Sequence, residues 1–303
     1  MARVCHPSTA LFERVWESHQ RYFEGFDSMK RLVVWDGFGD VRLEELNKTT
    51  DDLLNETAYR EFQQRVEQNV LLMPRADHEK NKPTSTTTST KVIRLDKHYG
   101  LRGSMNYTLH HYVDTPLVYV TQDDLSLTSY IPTAAIVKTM LQQQQQQQQD
   151  DDTKGHQRSN NPVRYVILNK RHNGGRKRLD SFYNHWEYAN STTTLAGDVI
   201  SQRLVVDPAT IHAPLLRTKR FSDNNHFAFK QDYLEHILPR AKKEWMDSFH
   251  QGFLSQHPEA WMRYGTHILG ELHDPAKIEH LDGRDIRWCD HYEEQGDKQY
   301  DAQ

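Results

Sequence analysis

Asp123 and Asp124 stand side by side immediately after an apolar run, and they are the residues of this chain best suited to chemistry. Leu117-Val118-Tyr119-Val120 is bounded by Pro116 on one side and by Gln122-Asp123-Asp124 on the other. A short, continuous apolar run of this kind reads as a buried strand of a parallel sheet. Its end delivers both acids to one edge of the sheet, and ligands gather at the carboxyl ends of strands in open α/β sheets. Oxygen ligands suit Mg²⁺ or Mn²⁺, and those cations in turn hold phosphates. Adjacent acids after a strand also form plain solvated turns, so the pair gains meaning only from the elements around it.

Those elements are legible from pattern. Ser8 caps a predicted helix with Leu11, Phe12, Val15, Trp16 and His19 on one face. Arg31 to Trp35 reads as a buried strand ended by Asp36-Gly37, and a second helix starts near Thr50-Asp51 with Leu54, Ala58, Phe62, Val66 and Val70 as its stripe. A polar low-complexity loop follows at residues 81–90, then a strand from Lys91 to Leu95. His98 to Gly103 reads as a Gly-punctuated turn before a helix from Ser104 to Val113. Beyond the acidic strand come a helix from Pro132 to Leu141 and a strand from Val163 to Leu168. Leu215-Leu216-Arg217 reads as a strand, Phe221 to His226 as a loop, and Lys230 and Pro239 as helix starts, the second helix running to Phe249. His267 to Leu272 closes the series as a strand. Strand–helix alternation over the first 170 residues predicts a single α/β domain with a mainly parallel central sheet flanked by helices.

Composition sets the limits. With 303 residues, 36% hydrophobic and 26% charged, the chain is long enough for one large domain even after its polar inserts are removed. A net charge of −4 argues against broad nucleic-acid binding. Cys5 and Cys289 form neither a zinc spacing nor a disulfide framework. No apolar run reaches the ~18 residues of a membrane span, and no signal peptide is visible, so a soluble, cytoplasmic chain is the default expectation. Gln142 to Gln149 and the aspartates after it cannot bury apolar surface, which predicts a disordered insertion over residues 142–161.

Taken in order, these features resemble the nucleotide-diphospho-sugar-binding half of a GT-A glycosyltransferase of the family 2 type. The resemblance covers roughly Pro7 to Leu127 and rests on three short motifs in sequence: Val33-Val34-Trp35-Asp36-Gly37, Gly100-Leu101-Arg102-Gly103-Ser104-Met105-Asn106, and Gln122-Asp123-Asp124. It implies that Asp36 contacts the nucleotide base. It implies also that Gly100 allows close backbone approach to the nucleotide, that Arg102 faces the diphosphate, and that Asn106 completes the element. Asp123 and Asp124 would hold a divalent cation, Mn²⁺ or Mg²⁺, against the diphosphate. Members of the family place a late histidine on the metal, a position that His280 matches. The family's general base lies in a Glu-Asp pair; the nearest stretch by position is Ser222-Asp223-Asn224-Asn225-His226, which makes Asp223 the candidate base. Asp223 could equally belong to a loop that caps the helix at Lys230.

The chain departs from the family at three places. The family opens with a strand ahead of Pro7, for which only Met1 to Cys5 remain; its acids follow Asp-x-Asp; and its Glu-Asp pair has no clear copy. The implied function is metal-dependent transfer of a sugar from a nucleotide-diphospho-sugar to an acceptor, with a division into a donor-binding half (1–130), the insertion (142–161), an acceptor half (162–290) and a polar tail (291–303). The alternatives are a catalytically inactive GT-A-like scaffold and a sugar-phosphate nucleotidyltransferase. Lys170 to Arg178 forms a basic loop that could steer an anionic donor or touch RNA, or simply lie solvated, and Trp186, Trp245, Trp261 and Trp288 are candidate sugar-stacking residues.

Overall fold

The computed structural model describes residues 9–37, 51–68, 90–153, 163–170, 213–217, 222, 224–241, 266–270 and 274–281. In chain order the elements are helix α1 (Ala10–Tyr22), β1 (Arg31–Trp35), α2 (Asp51–Val66), β2 (Thr90–Arg94), α3 (Gly100–His111), β3 (Leu117–Val120), β4 (Leu125–Leu127) and α4 (Thr133–Thr153). There follow β5 (Tyr165–Ile167), β6 (Leu215–Arg217), β7 (His226–Phe229), α5 (Lys230–Asp232) running into a π turn at Tyr233–Ile237, β8 (Thr266–Leu269) and β9 (Ile278–His280).

Helices and mixed sheets together make an α/β arrangement. The central sheet is not mainly parallel, however. Its five strands run in the order β3-β7-β5-β8-β6, and among the described residues only β5–β8 is a parallel ladder; β3–β7, β5–β7 and β6–β8 are antiparallel. A separate pair, β1–β2, is parallel, and β4–β9 is an antiparallel pair. An unbroken apolar run reports burial on both faces of a strand, and both faces are covered here whatever the strand directions are. Val166, Phe227 and Phe229 point into one apolar cluster with Phe23, Ile136 and Met140, while Tyr165, Ile167 and Ala228 point into another with Leu109, Tyr233 and Ile237. Alternation along β5 and β7 thus divides their side chains between two cores. Each fully buried Ile or Phe contributes about 1.5–3 kcal/mol to holding those layers together.

Three boundaries differ from those predicted. The helix predicted from Ser104 begins at Gly100, because the Gly-punctuated stretch supplies its first turn instead of a loop before it. α1 begins at Ala10 with Thr9 in the capping position, and Ser8 lies outside the described residues. α4 continues through the glutamine tract to Thr153 where disorder was predicted. Ile136 and Met140 anchor its first turns in the core, and glutamine, with good helix propensity, then propagates a helix already nucleated. Three short strands, β4, β7 and β9, are not marked as strands in the sequence. The cysteines, the four candidate stacking tryptophans, the predicted helix body after Ala241 and the basic loop past Lys170 lie outside the described residues. Among those residues no helix is long and apolar enough to cross a membrane.

Candidate functional site

β1 and β3 each end in acid. Tyr59, from α2, reaches the first of them: its hydroxyl donates to the Asp36 carbonyl at 3.1 Å, and burial, then the charges of Asp36 and Asp123, hold its pKa above the ordinary value. Nothing in the sequence marked Tyr59, which lies one position off the apolar stripe of its helix.

The Asp36 carboxylate is fully engaged by its own chain. Oδ1 accepts from the Tyr99 amide at 2.8 Å and from the Ser104 hydroxyl at 2.9 Å; Oδ2 accepts from the Gly100 amide at 2.9 Å and pairs with His98 Nδ1 at 2.7 Å. Four donors fill the roughly four lone-pair directions a carboxylate offers. The carboxylate therefore caps α3 from a neighbouring strand and occupies the positive end of the helix dipole. Close backbone packing brings this about. A Cβ on Gly37 would lie 2.4 Å from the Lys97 carbonyl carbon, and Gly100 sits at φ 68°, a left-handed value suited to glycine. Arg102 and Asn106, four residues apart on α3, share a face and have no hydrogen-bond or ion-pair partner among the described residues; Asn106 is exposed.

The turn after β3 is built differently. The Leu125 amide donates to the Gln122 carbonyl at 3.4 Å, closing the turn over Asp123 and Asp124. β9 runs antiparallel to β4 with His280 opposite Leu125, and the Leu281 amide donates to the Asp124 carbonyl at 2.8 Å. This ladder carries a residue 156 positions downstream to the acidic turn: His280 Nε2 lies 2.9 Å from Asp124 Oδ2. The Asn169 carbonyl, at the end of β5, accepts from the Lys277 and Ile278 amides and fixes the start of β9. Asp124 Oδ1 is buried and has no hydrogen-bond partner among the described residues. Asp123 is exposed, yet burial of its surroundings and then the neighbouring Asp124 charge raise its pKa.

The structure therefore brings Asp123, Asp124 and His280 to one turn, and Asp36 and Gly100 to the end of β1, which belongs to a separate sheet. Among the described residues no three His, Cys, Asp or Glu side chains stand close enough to hold a metal by themselves. Asp223 lies outside the described residues, between Ser222 and Asn224. A cavity of about 480 Å³ opens at the other end of the sheet, near Pro116, Phe229 and Lys230, and holds none of these residues; within it Arg164 and Asp232 pair with one another at 3.1 Å. No family model, no curated protein and no solved structure matches this chain.

Proposed function

We propose that the chain is a metal-dependent glycosyltransferase that moves a sugar from a nucleotide-diphospho-sugar to an acceptor. One observation carries the reading: a buried carboxylate oxygen of Asp124 that no described group satisfies, on a turn that also presents Asp123 and His280. A buried acceptor without a partner calls for a ligand, because leaving it bare costs about 1–3 kcal/mol. Two carboxylates and an imidazole form an acceptable donor set for Mn²⁺. Sites for such cations also use one or two carboxylates and complete themselves with substrate phosphates, so fewer than three clustered protein ligands suffice. When bound, the cation would act as a Lewis acid on the leaving diphosphate.

The remaining roles are those that the resemblance implies. Asp124 and His280 hold the cation, and Asp123 adds charge beside them. Arg102, with no ion-pair or hydrogen-bond partner among the described residues, faces the donor phosphates with Asn106 next to it. Contact of Asp36 with a base requires one of its four donors to yield, and His98, 41% exposed, is the one that can swing away without unwinding α3. Asp223 takes the proton of the acceptor hydroxyl.

A second reading, a catalytically silent scaffold with the same fold, draws support from the saturated Asp36 carboxylate. Incubation with a panel of nucleotide-diphospho-sugars and Mn²⁺ separates the two. Release of nucleoside diphosphate from one donor supports the enzyme, and no release from any donor, with Mn²⁺ still bound, favours the scaffold.

A further inference from the structure

Asn225 is fully buried at the start of β7, inside the Asp-Asn-Asn stretch that holds the candidate base. Its side chain spans the acidic turn. Oδ1 accepts from the Gln122 amide at 3.4 Å, and Nδ2 donates to the Leu125 carbonyl at 3.1 Å. Its own carbonyl accepts from the Leu168 amide at 2.7 Å, which ties it to the end of β5. Asp123 and Asp124 are thus held between two residues that one amide grips at once.

Beside that grip, Tyr119 is tied to α1. The Val15 carbonyl can only accept, so His19 Nδ1, 2.8 Å away, carries the proton. Burial lowers the His19 pKa to about 4, leaving Nε2 a neutral acceptor 3.0 Å from the Tyr119 hydroxyl. Tyr119 donates to that nitrogen, and its oxygen faces the Thr121 and Asn225 side chains as an acceptor. The Gln122 amide can only donate and the Leu125 carbonyl can only accept, so Oδ1 of Asn225 faces Gln122 and Nδ2 faces Leu125. Turning the Asn225 amide over would set two donors against each other at Gln122 and two acceptors at Leu125. Ser18, next to His19, also accepts from the Leu127 amide at 2.9 Å and fixes β4 to the same helix.

We propose that Asn225 is the positioning residue of the acidic turn, oriented by the Gln122 amide and the Leu125 carbonyl, and that it sets where Asp123 and Asp124 stand for a divalent cation. The cation itself rests on the function proposed above; the clamp does not.

Amide hydrogen exchange and Mn²⁺ calorimetry on Asn225→Ala test it. The Gln122, Leu125 and Leu281 amides should exchange about tenfold faster, the equivalent of one lost buried hydrogen bond. The Leu168 amide, bonded to the Asn225 backbone, should be unchanged, and Mn²⁺ affinity should fall about tenfold, as when a partner of a metal ligand is removed. If the alanine variant does not fold, Asn225→Asp keeps the size and the acceptor for Gln122 but loses both donors, and must still speed exchange at Leu125 and Leu281. Equal acceleration of turn and Leu168 amides, or none at the turn, overturns the proposal. Absence of Mn²⁺ binding by the unaltered protein would remove the metal reading while the exchange result still decides the role of Asn225.

Discussion

Four donors of the chain occupy the Asp36 carboxylate, whereas Oδ1 of Asp124 is buried with none among the described residues. The first acid is therefore structural as it stands, and the second has acceptor capacity to give. Asp36→Ala should cost about 1–2 kcal/mol in urea unfolding, the scale of a lost helix cap; an unchanged midpoint would mean that α3 does not depend on it. Asp123→Asn should act in the opposite direction. A carboxyl whose pKa is raised by burial and by Asp124 destabilises the fold when ionised, so removing its charge at pH 7 should add a few tenths of a kcal/mol after solvent screening. A loss of stability in that variant would show that the two carboxylates do not repel. Buried histidine makes a third case. His19 and His226 have pKa values lowered to about 4 and about 3, so both are neutral in the fold and take up protons below pH 6.5 only on unfolding. Stability is complete above pH 6.5 and is lost as pH falls toward those values. Between pH 6.5 and 5 the loss is about 2 kcal/mol per histidine, and His19→Gln should remove one share of it; a variant with the full slope would exclude His19 as a source.

Among elements, the end of β1 and the start of α3 meet with no room for a side chain. Gly37→Ala would set a Cβ 2.4 Å from backbone of Lys97, and should destabilise by about 2–4 kcal/mol, read as a drop in the urea midpoint with the slope retained. An unchanged midpoint would mean that the β1–α3 junction opens freely. Much at this scale was legible in the sequence. β1 begins and ends where the apolar run predicts, and α2, β2, β3, β5 and β6 fall close to their predicted ranges. Strand direction was not legible, because β7 enters antiparallel between β3 and β5, and two-sided burial looks the same for either direction. The four residues of β7 were hidden between a polar loop and a helix start. The meeting of His280 with Asp124 depends on the β4–β9 ladder, which no local pattern encodes. Resemblance pointed to His280; only pairing of strands far apart in sequence brings it to the turn. The sequence marks no role for Tyr59 or Asn225, because their roles come from what they touch, not from spacing.

On the scale of the whole molecule, a cation bound to the fold and not to the unfolded chain must stabilise all of it. At 100 times its Kd, Mn²⁺ should raise unfolding free energy by about 2.7 kcal/mol, and the gain should vanish in Asp124→Ala. The most direct test joins cation and donor. Calorimetric titration of the protein with nucleotide-diphospho-sugars, with and without Mn²⁺, should show binding that requires the cation and disappears when Asp123 and Asp124 are both replaced by alanine. Binding that is indifferent to Mn²⁺ or to the loss of both acids would contradict a metal–diphosphate site at this turn.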